Sequence, residues 1–205
     1  MSEVLGYGED ALTLWALKHH VSDILRQFDD HTQPSDCLFF YRPSFGRHSG
    51  GSSAVFGEFD AIVASLRAIY LLESKWDNLA EYKEKELVLR KEQMQRHQIF
   101  TWYLTHWSRQ YSGKWESFVR EQKPNFKFEG KSIPHPDKIL AANLEFVLSR
   151  LLGHCDVVTE DNIRNVLLFF YQSRTRPSFK VDKTFKPILI NYSKAISGNF
   201  VPLSP

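Results

Sequence analysis

The stretch "GEFDAIVASLRAIYLLESKWD", Gly57 to Asp77, constrains this chain more than any other. Two apolar runs flank a short turn, and both are rich in residues that fit a pleated sheet. At the end far from the turn stand Glu58, Asp60, Glu73 and Lys75. With Leu66 and Arg67 at the tip, Asp60 falls opposite Glu73 and Glu58 opposite Lys75. Strand side chains alternate, so all four share one face. Directly opposite partners have Cβ atoms roughly 5 Å apart. Facing carboxylates repel, and a divalent cation that favours hard oxygen ligands, such as Mg²⁺, relieves that repulsion. Leu-Arg lacks the Asn-Gly or Asp-Gly preference of a tight hairpin, so a longer turn with shifted pairing stays open. The alternation of Glu73 and Lys75 survives any slip.

Toward the turn the charged face continues as Ile62, Ile69 and Leu71. The other face carries Phe59, Ala61, Val63, Tyr70, Leu72 and Trp76. Both are apolar, which predicts helices on both sides of the sheet. Residues 9–28 read as a helix, with Leu12, Trp15, Ala16, Val21, Ile24, Leu25 and Phe28 at helical spacing. "CLFFY" reads as a strand from Cys37 to Tyr41, and "HSGGSSAV" as a flexible connection. A long helix is expected from Asn78 to about Tyr111, charged at first and aromatic later. A further helix capped by Asp137 should run to about Leu152, before two strands, "NVLLFFYQS" and "FKPILINYS". This order gives an α/β domain with a mixed central sheet: one domain over 1–205, with a helical insertion about 78–155.

Net charge is only +2, so no global field marks nucleic acid, and polyanion binding would need a local patch. No apolar run approaches the about 18–20 residues of a bilayer span, and "MSEVLGYGED" is not a signal pattern. A cytoplasmic location without membrane contact is the expectation. Cys37 and Cys155 lack metal or disulfide spacing. His19, His20 and His106 form no zinc pattern, and no Walker, Rossmann or GxSxG motif is present.

An acid on one strand followed by acid-x-Lys on the next, here Asp60 and then Glu73-Ser74-Lys75, resembles the PD-(D/E)xK nuclease superfamily. "GEFDAIVAS" with "IYLLESK" looks most similar to Holliday-junction-resolvase-like and Mrr-type members. The likeness covers about residues 9–77 in order. Phe59 stands where the superfamily's name has proline. The resemblance implies a restriction-endonuclease-like mixed central sheet flanked by helices on both faces. It implies that Asp60, Glu73 and the Ser74 backbone carbonyl bind Mg²⁺ or Mn²⁺, and that Lys75 serves the attacking water. Glu9 matches a glutamate that members often carry on the first helix, and Glu58 would pair with Lys75 or support the metal. The related Gln-x-x-x-Tyr helix motif is met only imperfectly, by Gln98 with Trp102 at its spacing.

Arg42, Arg47 and His48 lie in a stretch without acids, suited to gripping phosphates beside such a site. The expected activity is hydrolysis of DNA phosphodiesters by an endonuclease, and the resemblance allows a homodimer. Two competing readings are a catalytically silent nucleic-acid-binding module of the same fold and a protein–protein interaction domain using the aromatic helix.

Overall fold

The computed structural model describes residues 4–46, 54–77, 87, 89–155, 158–173, 177, 180–196 and 200–203. Arg47 and His48 lie outside the described residues, as does nearly all of 78–88. In chain order the first half holds β1 (Leu5–Gly6), α1 (Gly8–His19), α2 (Val21–Arg26), β2 (Leu38–Tyr41), β3 (Ser44–Phe45), β4 (Gly57–Glu58), β5 (Ala61–Ala64) and β6 (Ile69–Trp76). The second holds α3 (Lys91–His106), α4 (Trp115–Gln122), α5 (Ile139–His154), β7 (Ile163–Tyr171), β8 (Phe185–Asn191) and β9 (Val201–Pro202).

The centre is a five-stranded mixed sheet in the order β2-β5-β6-β7-β8. The β2–β5 and β5–β6 pairs are antiparallel, whereas β6, β7 and β8 are mutually parallel. Ala61 faces Leu72 and Ala64 faces Ile69, the register that places Leu66 and Arg67 at the tip. Ser65 explains why no Asn-Gly is needed there. Its hydroxyl accepts the Arg67 and Ala68 N–H groups at 3.0 Å each and donates to the buried carboxylate of Asp30 at 2.5 Å. The side chain supplies the turn's local hydrogen bonds.

Each sheet face has its own core. Ala61, Val63, Tyr70 and Leu72 pack under α1 and α2, with Leu12, Ala16 and Leu25 fully buried. Ile62, Ile69 and Leu71 pack under α3, α4 and α5, and the rings of Phe100, Tyr103 and Phe118 are fully buried there. The aromatic run of α3 is therefore core, each ring worth about 2–3 kcal/mol of transfer free energy. Among the described residues no helix is long and apolar enough to cross a membrane. Cys37 and Cys155 are both free.

The structure departs from the sequence expectations at several places. The antiparallel hairpin ends at Ala61: the chain bends at Asp60, and β4 turns away to pair with β3, with Ser44 opposite Glu58. Glu58 therefore does not face Lys75. Arg42 draws it aside, its Nε donating to Glu58 Oε1 at 2.8 Å, while the Arg42 N–H takes the Asp60 carbonyl at 3.1 Å. The same bend reverses Phe59, which packs with Ile62 on the α3 side rather than with Ala61. Residues 9–28 form two helices, because His20 leaves helical geometry at φ −124°, ψ 9°. That break keeps Val21, Ile24 and Leu25 buried against the sheet. α3 starts at Lys91, since Leu87 and Leu89 are anchored in non-helical backbone against Leu167 and Phe169. It ends at His106, where Trp107 turns extended. Lys138, not Asp137, precedes α5, and Asp137 accepts instead from His135 at 2.7 Å.

Candidate active site

Strand alternation sends Glu73 and Lys75 to the α3 face of β6 and Ser74 to the α1 face. Ser74 is locked to α1. The Thr13 hydroxyl lies 2.8 Å from the Glu9 carbonyl and 2.8 Å from the Ser74 hydroxyl. A carbonyl only accepts, so the Thr13 proton goes to Glu9 and Ser74 donates to Thr13 in turn. This relay ties the first turn of α1, and with it Glu9, to the strand that carries Lys75. Asp60 is fixed from the other side, its Oδ2 accepting the Ser74 N–H at 2.7 Å. The bend that diverts Glu58 thus leaves Asp60 folded back over β6.

The result is a cleft of about 610 Å³ whose walls include Glu9, Asp60, Glu73, Lys75, Arg96 and Lys131. Lys75 Nζ lies 3.7 Å from Glu9 Oε1 and 3.8 Å from Glu73 Oε1. Glu73 is only 2% exposed, and Arg96 and Gln93 hold it, with His97 close by. Arg96 Nη2 donates to Glu73 Oε2 at 2.7 Å, and the Gln93 amide donates to Glu73 Oε1. Gln93 is itself oriented by its carbonyl oxygen, which accepts the Arg90 N–H at 2.9 Å at the start of α3. His97 Nε2 stands 3.8 Å from Glu73 Oε2, too far for a hydrogen bond, while Nδ1 meets Asn165 Oδ1 at 2.8 Å. Arg96 Nε and His97 Nε2 have no hydrogen-bond partner among the described residues.

These surroundings split the acids. Burial pushes the Asp60 carboxyl up to about 7, reinforced by the negative charge of Glu73. Burial also pushes Glu9 up to about 7; Lys75 opposes the rise, while Asp60 and Glu73 add to it. Glu73 goes the other way: burial raises it, but His97, Arg96 and Lys75 outweigh burial and hold it below the usual range. Glu73 thus favours its charged form more than an ordinary carboxyl does, while Asp60 and Glu9 are poised to gain or lose a proton near neutrality.

The structure brings Glu9, Asp60, Glu73 and Lys75 together. Glu58 lines the same cleft, but its carboxylate is bound by Arg42. Arg42 also bonds the Asp10 carboxylate, so its guanidinium bridges two acids. Gln98 and Trp102 line a separate cavity with Met94 and Phe128, and Gln93 is the α3 amide that reaches the acids. Gln93, Arg96 and His97 fall in the stretch for which the sequence shows only a charged, then aromatic, helix. Their one signal was helical spacing, which puts Gln93 and Arg96 on the same side of α3. Lys131, from the long loop before α5, was missed entirely; its Nζ donates to the Val55 carbonyl at 2.6 Å. Gly57 also belongs to the site's frame. Its φ is +116°, and a Cβ there would sit 3.0 Å from Arg96 Nη1.

Glu9, Asp60 and Glu73 are oxygen donors of the type that a hard divalent cation such as Mg²⁺ or Mn²⁺ takes. Among the described residues no three His, Cys, Asp or Glu side chains close into a cage. The acids stand around the Lys75 ammonium instead. No family model, curated protein or solved structure matches this chain.

Proposed function

We propose that the chain is a metal-dependent nuclease of restriction-endonuclease-like fold that hydrolyses DNA phosphodiesters, as an endonuclease. One observation carries this reading: Glu9, Asp60 and Glu73, from three separate segments, converge with Lys75 in one open cleft. Acids with perturbed titration clustered in a cleft beside an amine support this reading, because such clusters concentrate at functional sites. Glu9, Asp60 and Glu73, with the Ser74 carbonyl, are the groups that would hold Mg²⁺ or Mn²⁺. Such a cation supplies Lewis-acid stabilisation of charge on the phosphate and acidifies water.

The chain's own residues do the rest. Lys75, fixed by burial between Glu9 and Glu73, donates to a phosphate oxygen and orients the attacking water. Arg90 and Lys131, on the cleft walls, attract flanking phosphates. Arg96 keeps Glu73 ionised and in place.

The grip of Arg96 and Gln93 on both Glu73 oxygens favours a second reading, a polynucleotide-binding module without turnover. Labelled DNA and RNA substrates with Mn²⁺ separate the two. Wild type should cut DNA, and Glu73→Ala and Lys75→Ala should abolish cutting while circular dichroism stays unchanged. Undiminished cleavage by either variant would reject the proposed site. Binding that survives EDTA, with no cutting by wild type, would establish the silent module.

A further inference from the structure

A second cavity, of about 410 Å³, opens at the same end of β6 on the opposite face, between Tyr7, Gly8, Trp76, Asp77, Gln172 and Tyr192. Two backbone segments separate it from the acid cleft. Gly8 lines this cavity and Glu9 the other, and Lys75 and Trp76 point to opposite faces of β6. The cavity also lies beyond the C-terminal ends of the parallel strands β6, β7 and β8, the usual ligand position in an open α/β sheet.

Its rim is aromatic and exposed. Tyr7 is 59% exposed and Phe200 46% exposed. The Tyr7 ring lies 5.9 Å from Trp76, edge to face at 89°, and 5.9 Å from Phe200. Gly8, at φ +80°, makes the turn that carries Tyr7 into α1. The floor is polar and fixed: Asp77 accepts the Tyr192 hydroxyl at 2.9 Å and the Gln172 N–H at 2.7 Å. Glu9 and Asp10 in the first turn of α1, together with Asp77, make this a poor place for a phosphate. An exposed aromatic side chain beside a cavity whose lining includes a carboxylate offers stacking surface and an acceptor to a flat, neutral ring carrying N–H donors.

We propose that this cavity takes one unstacked nucleobase of the strand whose phosphodiester lies in the acid cleft, which makes single-stranded or locally unpaired polynucleotide the substrate class. The inference rests on the phosphodiester reading of the acid cleft. A base held in a duplex stack cannot enter such a cavity without being extruded, whereas an unpaired base stacks on the rings at no such cost.

Binding in EDTA tests it without turnover, using fluorescence anisotropy on the full chain. The probes are a labelled DNA single strand, an RNA strand of the same sequence, and the matching DNA duplex. The variants are Tyr7→Ala and Tyr7→Phe, at an exposed position where circular dichroism verifies the fold. Wild type should bind either single strand at least about tenfold more tightly than duplex, and Tyr7→Ala should lose about tenfold on single strands, the order expected for one stacked base. Tyr7→Phe should keep wild-type affinity, and duplex binding should not respond to either change. Equal single-strand affinity of Tyr7→Ala and wild type, or duplex preference, overturns this inference while leaving the acid cleft's reading intact. No binding of any polynucleotide in EDTA overturns this inference, and the acid cleft's reading then stands or falls on Mn²⁺-dependent cleavage by the same preparation.

Discussion

Arg96 and Glu73 form a buried ion pair, Nη2 to Oε2 at 2.7 Å, with side chains 12% and 3% exposed. Removing one partner of such a pair leaves the other charge uncompensated, which typically costs about 3–5 kcal/mol. Lys75 at 3.8 Å shields part of that loss. Arg96→Ala should therefore lower stability by about 3 kcal/mol, read from the urea midpoint. A change under about 0.5 kcal/mol would mean that the pair is screened like a surface bridge.

Asp60 and Glu9 titrate near 7 in the folded chain and in the ordinary carboxylate range when unfolded. Between about pH 4 and 7 the folded state thus binds more protons, and stability falls as pH rises through that window. Glu73 is depressed in the fold, so its contribution is present above the ordinary carboxylate pKa and is lost as pH falls below it. Asp60→Asn should raise Tm relative to wild type at about pH 8 and lose that advantage near about pH 4. Parallel thermal melts across the range check this; a pH-independent difference would contradict the raised Asp60 pKa.

Gly57→Ala combines a strained φ of +116° with a Cβ pressed to 3.0 Å from Arg96. The expected destabilisation is about 1–3 kcal/mol. Because Arg96 holds Glu73, cleavage should fall further than stability explains when assayed well below Tm. Activity equal to wild type under those conditions would show that the Arg96 position is not critical.

Lys131 lines the cleft on a loop and makes its bond to a neutral carbonyl. As a phosphate contact, Lys131→Gln should weaken single-strand and duplex binding alike. It should also reduce the slope of log affinity against log salt by about 1. An unchanged slope assigns Lys131 to holding the Val55 segment.

Much of the hairpin was legible because strand physics is local. Alternating apolar residues specify two faces, and the chosen tip residues set a pairing that the Ser65 hydroxyl then supports. Asp60, Glu73 and Lys75 stood out because charged residues seldom interrupt so apolar a ribbon. Glu58 was misplaced for a non-local reason: Arg42, sixteen residues earlier, pulls its carboxylate out of the ladder at Asp60. The same bend changed the face of Phe59.

By itself the sequence determined the apolar strands of a mixed sheet, the alternation of Glu73 and Lys75, and the helical stripe that carries Glu9, since each follows from periodicity along a single element. Only the tertiary structure decided that Gln93, Arg96 and His97 surround Glu73, that Lys131 reaches the cleft, and that Tyr7 meets Trp76. Those contacts join segments far apart in the chain. Their energies depend on burial and on opposing charge, neither of which exists before the sheet and helices have packed.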